Sequence, residues 1–196
     1  MLKCNNLSKS FSGNKVISNL SIEVQQNEKI IISGENGCGK STFAKLILGV
    51  LSPDSGSILC QGDFGWMPAQ SESFFPELTG QENLYAFGSF NLMSKADIDL
   101  CIEDFSELLS KEILEGRFKT FSSGMQQKLN LVRALLHKPR VLILDEPLAH
   151  MDQVSCQFVV DKLSSYDGVV IVMSHLKDLW DQNIFKHLKF ESINAQ

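Results

Sequence analysis

The pattern of hydrophobic and polar positions is strand-like in the first third of the chain. Leu20, Ile22 and Val24 alternate with polar residues, as expected for a half-buried antiparallel strand. Three consecutive isoleucines at 30–32 follow, a pattern typical of a strand that is covered on both faces. A glycine-rich loop and an apolar helix, from Ser41 to about residue 50, come next. The sequence therefore predicts an N-terminal β-rich region that leads into a buried strand, a loop and a helix.

Helical periodicity replaces this pattern over residues 71–135. Thr79-Gly-Gln-Glu82 is a capping box, Ser94 can cap a second helix, and a third helix is predicted from about Ser123. Strand-like runs return at 141–144 and 169–173, separated by a predicted helix from about Asp152 to Leu163. Strands that alternate with helices predict parallel βαβ units.

These elements predict an α/β fold in a single domain over residues 1–196. We expect a core with a mostly parallel sheet, an N-terminal antiparallel β subdomain and an inserted helical subdomain. Residues 1–70 and 136–196 would form the core with its β subdomain. Residues 71–135 would form the helical subdomain.

Composition narrows the class of function. The chain of 196 residues is long enough for one sizeable core, and its net charge of -5 argues against a basic nucleic-acid-binding face. We therefore expect no nucleic-acid partner. The five cysteines form no C-x-x-C pair, which fits a reducing cytosol. The most apolar runs are far shorter than the roughly 20 residues of a membrane helix, so we expect no membrane span.

Residues 34–41 match the pattern G-x-x-x-x-G-K-[ST] between a predicted strand and a predicted helix. Glycines allow backbone N–H groups to converge on phosphate oxygens, and the helix N-terminus adds partial positive charge. Lys40 is expected to reach the β- and γ-phosphates, and Ser41 to bind Mg²⁺. The predicted nucleotide-binding residues of this loop are Gly34, Asn36, Gly37, Cys38, Gly39, Lys40, Ser41 and Thr42. The loop predicts binding of a nucleoside triphosphate, and with it a P-loop NTPase core.

A pair of acidic residues follows the apolar run 141–144. Asp145 is expected at the carboxyl edge of the sheet, where open α/β sheets bind ligands, and can hold Mg²⁺ through its water shell. Glu146 can polarise an attacking water as a general base. Together with the phosphate loop, this pair predicts hydrolysis of the bound nucleotide.

The order of further motifs resembles that of the ABC ATPase family over almost the whole chain. Phe121-Ser-Ser-Gly-Met125 is similar to the family signature Leu-Ser-Gly-Gly-Gln. Ser122 and Gly124 keep the pattern, whereas Ser123 and Met125 depart from it, and Met125 removes an amide. The resemblance implies that these four residues bind the nucleotide held by the phosphate loop of a second subunit.

The same resemblance assigns four more residues. Phe11 would stack on adenine, although a strand-end core position explains it almost as well. Gln70 would contact Mg²⁺ and the attacking water, although Ala69 adds one residue to the usual lead-in. Asp152 would belong to the D-loop that crosses the dimer interface. His175 would be the switch histidine that contacts the γ-phosphate.

The resemblance implies an ATP-binding and ATP-hydrolysing subunit that powers an ABC transporter by nucleotide-driven closure of a head-to-tail dimer. Expected partners are a separate transmembrane permease subunit and a second ATPase subunit, identical or different. The expected location is the cytoplasmic face of a membrane, and the signature weakly favours an exporter-type system. Phe74 and Phe75 could line the groove for the permease or pack in the core. The alternatives are a soluble ABC ATPase of translation or DNA repair and another P-loop enzyme such as a small-molecule kinase.

Overall fold

The computed structural model describes residues 1–70, 73–175 and 179–190. The strands are β1 (Leu2–Phe11), β2 (Asn14–Val24), β3 (Lys29–Ser33), β4 (Ser55–Cys60), β5 (Phe64–Met67), β6 (Val141–Asp145), β7 (Val169–Met173) and β8 (Phe185–Lys189). The α-helices are α1 (Lys40–Ile47), α2 (Gly80–Phe90), α3 (Lys95–Asp104), α4 (Lys111–Glu115), α5 (Ser123–Leu135) and α6 (Gln153–Ser164). A 3₁₀-helix spans Phe118–Thr120.

Two sheets organise the described residues. The main sheet has five parallel strands in the order β5-β6-β7-β3-β8, and a three-stranded antiparallel sheet has the order β2-β1-β4. This arrangement confirms the predicted α/β fold with its parallel core and N-terminal antiparallel strands. β8 was not predicted, because its sequence is mostly polar and it forms one edge of the sheet, where three of its five residues are exposed.

The main sheet separates two hydrophobic clusters. Alternate residues of β6 point to opposite sides, so that Leu142 and Leu144 pack with helices α2–α6, whereas Val141 and Ile143 pack with α1 and the antiparallel sheet. Every residue of β6 and β7 is buried. This burial explains the unbroken apolar runs of both strands.

The helical segments begin close to the predicted positions because local caps define them. Thr79 and Glu82 form the capping box of α2, and Ser94 and Ser122 cap α3 and α5. Helix α1 ends at Ile47, earlier than predicted. The predicted division into 1–70, 71–135 and 136–196 stays a prediction, and residue 71 lies outside the described residues.

Helix α5 belongs by its contacts to the core sheet as well as to the helical region. Asn130 Nδ2 donates to the carbonyl oxygen of Pro68 at 3.0 Å, and Arg133 Nη2 donates to that of Trp66 at 2.7 Å. Both acceptors lie at the end of β5. Among the described residues no helix is both long and apolar enough to cross a bilayer.

Candidate functional site

The glycine-rich loop connects β3 to α1 in a conformation that depends on glycine. Gly37 and Gly39 have φ values of 82° and 108°, in the left-handed region that glycine adopts without a Cβ clash. Lys40 begins α1 and is buried, with its Nζ donating to the carbonyl oxygens of Gly34 at 2.7 Å and of Glu35 at 3.1 Å. The loop thus places its cation at the head of the helix, as anion binding requires.

A serine and a carboxylate meet where this loop faces the carboxyl edge of the sheet. Ser41 Oγ donates to Asp145 Oδ2 at 2.8 Å, although the two residues are 104 positions apart. Asp145 is the last residue of β6 and is only 6% exposed. Burial raises the pKa of its carboxyl group, and the hydrogen bond from Ser41 opposes that change. A buried carboxylate beside a hydroxyl is a set of hard oxygen ligands that suits a divalent cation.

Glu146 follows in a strained backbone conformation. Its φ of 50° lies in the left-handed region, and its N–H donates to the carbonyl oxygen of Met173 at 2.8 Å. Ser174 Oγ donates to Glu146 Oε2 at 3.2 Å. The backbone N and the Nδ1 of His175 lie 3.2 Å and 2.9 Å from Glu146 Oε1. The structure therefore brings together the predicted general base and the predicted switch histidine.

The glycine-rich loop and the two acidic residues border one cleft of about 360 Å³. Its lining residues are Val16, Asn36, Gly37, Gly39, Lys40, Ser41, Thr42, Ala69, Asp145 and Glu146. Two cavities of about 500 and 430 Å³ beside α3 are larger, but the glycine-rich loop lines neither of them. The cleft thus joins most of the predicted phosphate loop to both predicted acidic residues.

Three predicted residues lie near this cleft without lining it. Cys38 is buried behind the loop, and a Cβ added at Gly34 would lie 2.7 Å from its sulfur. Gln70 is exposed and follows Ala69, which does line the cleft. The binding roles of Gly34, Cys38 and Gln70 stay predictions.

Phe11 ends β1 with 41% of its surface exposed. Lys9 Nζ lies 5.5 Å from the centroid of its ring, within the range of a cation–π interaction. The ring is therefore not a buried strand-end core residue, and an exposed aromatic face is what base stacking needs. Its contact with adenine stays a prediction.

The signature residues lie at the head of α5. Ser122 caps the helix by accepting from the backbone N–H of Met125 at 3.3 Å, and Ser123 is exposed. A Cβ added at Gly124 would lie 2.6 Å from the carbonyl oxygen of His150, so only glycine allows this approach. Met125 is half-buried against the helical core. In the described structure these residues do not line the cleft formed by the phosphate loop of their own chain.

Asp152 is the N-cap of α6. It accepts from the backbone N–H of Ser155 at 2.9 Å, and Lys128 Nζ lies 2.9 Å from its Oδ2. The hydrogen bond from Ser155, followed by that from Lys128, holds the pKa of the carboxyl group well below its usual range. Asp152 is thus tied to α5 at the point where α6 begins.

The sequence analysis missed three residues that shape the site. Val16 lines the cleft, Ser174 binds the Glu146 carboxylate, and Gln127 Nε2 donates to the backbone carbonyl oxygen of Glu146 at 2.7 Å. Gln127 lies four positions before the buried Leu131, on the inward face of α5. A polar residue at an inward position indicates a buried hydrogen bond, and that signal could have found it.

A glycine-rich loop between a parallel strand and a helix, facing a Ser–Asp pair at the carboxyl edge of the sheet, defines the P-loop class of nucleotide-binding α/β domains. Residues 17–149 match the sequence model of the family described as ABC transporter. The chain belongs to this family, which confirms the resemblance. The match also favours the transporter interpretation over translation, DNA repair or a small-molecule kinase.

Similar curated proteins have transporter names. The chain is 35% identical over 174 residues to an uncharacterized ABC transporter ATP-binding protein, YxlF, of Bacillus subtilis, covering 83% of this chain and 58% of that protein. It is 33% identical to the molybdate/tungstate import ATP-binding protein WtpC of Methanocaldococcus jannaschii, covering 88% and 61%. It is 33% identical to the Nod factor export ATP-binding protein I of Bradyrhizobium diazoefficiens, covering 79% and 55%. The chain spans about half to two thirds of the length of these curated relatives.

Solved structures support the fold. An ATP-binding cassette, solved as a dimer in a post-hydrolysis state with ADP and Pi, aligns with a TM-score of 0.83 at 20% identity, over 98% of this chain and 97% of that one. An inward-facing ABC transporter of metal-chelate type aligns with a TM-score of 0.76 at 21% identity, over 91% and 74%. At these identities the likeness establishes the fold.

Proposed function

We propose that this chain binds ATP with Mg²⁺ and hydrolyses it to power an ABC transporter. The observation that carries the proposal is the grouping of three features at one sheet edge: the phosphate loop with Lys40, the Ser41–Asp145 pair and the Glu146–His175 pair. Curated relatives that are named as ATP-binding proteins of transporters support it.

Binding begins at the loop. Backbone N–H groups of residues 36–42 and the partial positive charge of α1 attract the phosphates. The buried ammonium of Lys40 exchanges the loop carbonyls of Gly34 and Glu35 for phosphate oxygens, which are charged and therefore stronger acceptors. The exposed ring of Phe11 supplies a stacking surface for adenine.

Mg²⁺ fits the residues that are present. Ser41 Oγ and Asp145 offer hard oxygen donors, with Gln70 as the expected third ligand. The burial that raises the pKa of Asp145 is a cost that a neighbouring cation offsets. Magnesium bound there supplies positive charge that stabilises the β- and γ-phosphates during hydrolysis.

Glu146 is oriented for the role of general base. Ser174 and His175 hold its two carboxylate oxygens, so the carboxylate keeps a fixed direction towards the cleft. A water beside the γ-phosphate gives up its proton to this carboxylate as its oxygen bonds to the γ-phosphorus. The bond from that phosphorus to the bridging oxygen breaks, and ADP leaves. The side chain of His175 is mostly exposed, so its ring can exchange the contact with Glu146 Oε1 for one with the γ-phosphate.

A second subunit completes the site. Ser122 and Ser123 are exposed at the head of α5 and do not line their own cleft, so they are available to a nucleotide bound by another chain. In a head-to-tail dimer each phosphate loop faces the signature of its partner, identical or different. ATP then contributes contacts that only the closed dimer makes, and hydrolysis removes them.

The permease partner would dock on the helical region at the cytoplasmic face of the membrane. Phe75 is 42% exposed, and its ring lies 6.2 Å from that of Phe87 on α2. Phe74 instead packs in the core, stacked at 4.5 Å on Phe118. Of the two phenylalanines, Phe75 is therefore the one available to a permease helix. The relatives include both import and export proteins, so the proposal specifies transport without a direction.

The test uses Glu146→Gln, which keeps the shape of the side chain and removes the base. This variant should bind ATP with Mg²⁺, lose at least 100-fold in hydrolysis, on the order expected for a general base, and accumulate as a dimer. Light scattering after size exclusion measures the mass, and phosphate release measures the rate. Lys40→Ala, which cannot hold the phosphates, should stay monomeric. A wild-type chain without ATPase activity would contradict the proposal, and a Glu146→Gln chain that stays monomeric in saturating ATP would contradict pairing with an identical subunit.

A further inference from the structure

Helix α5 carries a buried polar side chain that no nucleotide contact explains. Gln127 is 4% exposed and lies on the inward face of the helix, two positions after the signature. Burying an amide is costly unless its donors are satisfied. Its Nε2 donates at 2.7 Å to the backbone carbonyl oxygen of Glu146, which is 19 positions away. This hydrogen bond offsets part of the cost of burying the amide.

That acceptor belongs to the residue with the most constrained geometry in the site. The φ of Glu146 is 50°, a conformation that a non-glycine residue keeps only when its surroundings hold it. Its N–H is bound by the carbonyl oxygen of Met173 on β7. Its C=O accepts from Gln127 Nε2 on α5 at 2.7 Å and from the backbone N–H of Ala149, within the same turn, at 3.1 Å. The two peptide units that flank its Cα are therefore tied to other elements, one to a strand and one to a helix.

The side chain of Glu146 is fixed separately. Ser174 and His175 bind its carboxylate oxygens after β7 ends. These contacts choose the direction of the carboxylate, but they do not hold the carbonyl end of the residue. Without Gln127 the carbonyl oxygen of Glu146 keeps the turn hydrogen bond from the N–H of Ala149, within the same segment, but loses its link to α5. The peptide after Glu146 is then held less firmly, and the Cα–Cβ bond can turn with it.

The segment that follows is held by the same helix. Gly124 lies against the carbonyl oxygen of His150, and Lys128 binds Asp152. The first two turns of α5 thus contact the chain at Glu146, at residue 150 and at residue 152. Movement of the signature would be transmitted directly to this segment.

We propose that Gln127 is a positioning residue for Glu146, and that through it the signature helix controls the geometry of the catalytic carboxylate of its own chain. The inference rests on the proposed ATP hydrolysis and deepens it. Gln127 does not touch the nucleotide. It acts through the Glu146 backbone. A signature that binds the nucleotide of a partner subunit would therefore also orient the general base, Glu146, of its own subunit.

The first test is Gln127→Met, which keeps the length and unbranched shape of the side chain and removes the donor. We expect kcat for ATP hydrolysis to fall about tenfold, whereas KM for ATP changes less than about twofold, because only the reacting geometry is altered. Gln157→Met is the matched control, since Gln157 donates to Asp161 on the exposed face of α6. Its kcat should equal that of the wild type.

A double-mutant cycle separates positioning from general loss of structure. In the Glu146→Gln background there is no carboxylate to orient, so adding Gln127→Met should leave the residual rate unchanged. An equal fractional loss in both backgrounds would overturn the inference. An unchanged kcat in the single variant would overturn it as well. A wild-type chain that fails to hydrolyse ATP would instead overturn the proposed function.

Gln127→Glu gives an independent readout if the methionine variant does not fold. An ionised glutamate has no proton to donate to the Glu146 carbonyl, whereas a protonated one does. Burial favours the protonated form, so the ratio of the kcat of the variant to that of the wild type should rise as the pH falls from 8 to 6. A ratio that stays constant over this range would contradict the proposal.

Discussion

Asp145 lies at the centre of the site, in a position that favours ligand binding over stability. Burial raises the pKa of its carboxyl group, so the folded chain favours the protonated form more than the unfolded chain does. Below the unfolded pKa the group has no effect on stability. As the pH rises through the interval up to the folded pKa, ionisation increasingly opposes folding, and this cost persists at neutral pH.

We therefore expect Asp145→Asn to stabilise the ligand-free chain. At pH 7 the change should raise Tm by about 2–4 °C, which corresponds to about 1 kcal/mol. It should also weaken the effect of Mg²⁺ on ATP binding, because the amide lacks the charge that attracts the cation. Scanning calorimetry without nucleotide and titration with ATP in the presence and absence of Mg²⁺ measure the two effects.

The matched control is Asp54→Asn, where the sign is opposite. The hydrogen bond from Lys9 lowers the pKa of the exposed Asp54 carboxyl group. Its ionised form therefore adds stability that is present above the unfolded pKa and is lost as the pH falls, so Asp54→Asn should not raise Tm. A lower Tm for Asp145→Asn at pH 7 would show that its hydrogen bond with Ser41 outweighs its burial.

At the scale of elements, α5 supports the segment that contains Gln70 as well as the carboxylate segment. Asn130 binds the carbonyl oxygen of Pro68, and Arg133 binds that of Trp66. The guanidinium of Arg133 also lies 5.6 Å from the ring centroid of Phe74. One helix therefore holds the chain on both sides of Gln70. Burial lowers the pKa of Arg133 to about 10, which still leaves it charged at neutral pH.

Arg133→Met should lower stability by about 1–3 kcal/mol, because it leaves the carbonyl of Trp66 without its donor. For a chain of this length that is a fall in Tm of several degrees. Arg133→Lys should recover little of the loss, since an ammonium cannot make the paired contacts of the guanidinium with Trp66 and Asn130. Thermal unfolding followed by circular dichroism measures all three proteins.

Arg117→Met is the control for this series. Arg117 is mostly exposed and lies 3.5 Å from Glu77, an ion pair of the kind that adds little stability. Its Tm should stay within about 1 °C of the wild type. If Arg133→Met melted at the temperature of this control, the support of the Gln70 segment by α5 would be contradicted.

The elements that the sequence predicts well are those defined by neighbouring residues. The capping box at Thr79, the cap at Ser122 and the phosphate loop are encoded within a few positions, so pattern and structure agree. β8 escapes prediction because its pairing with β3 joins residues more than 150 positions apart. The inward position of Gln127 indicates a buried hydrogen bond, but its acceptor, Glu146, could not be predicted because it depends on how α5 packs under the sheet edge.

At the scale of the whole molecule, the proposed site divides into two halves that one chain does not bring together. Lys40 and Glu146 line the same cleft. Ser122 lies at the head of α5, outside the lining of that cleft. In a head-to-tail dimer Lys40 and Glu146 of one chain act with Ser122 of the other. This division predicts which inactivating substitutions, placed on two different chains, can compensate for one another in a mixed dimer.

Lys40→Ala and a bulky Ser122→Arg chain should each be inactive alone, yet regain activity when mixed. A mixed dimer has one site with both defects and one intact site, since the intact phosphate loop of the Ser122→Arg chain meets the intact signature of the Lys40→Ala chain. Each mixed dimer has one of its two sites intact, so it should hydrolyse ATP at up to about half of the rate of a wild-type dimer. Mixing Lys40→Ala with Glu146→Gln should restore nothing, because each chain then spoils its own half-site. Recovery in this second mixture, or none in the first, would contradict the head-to-tail arrangement.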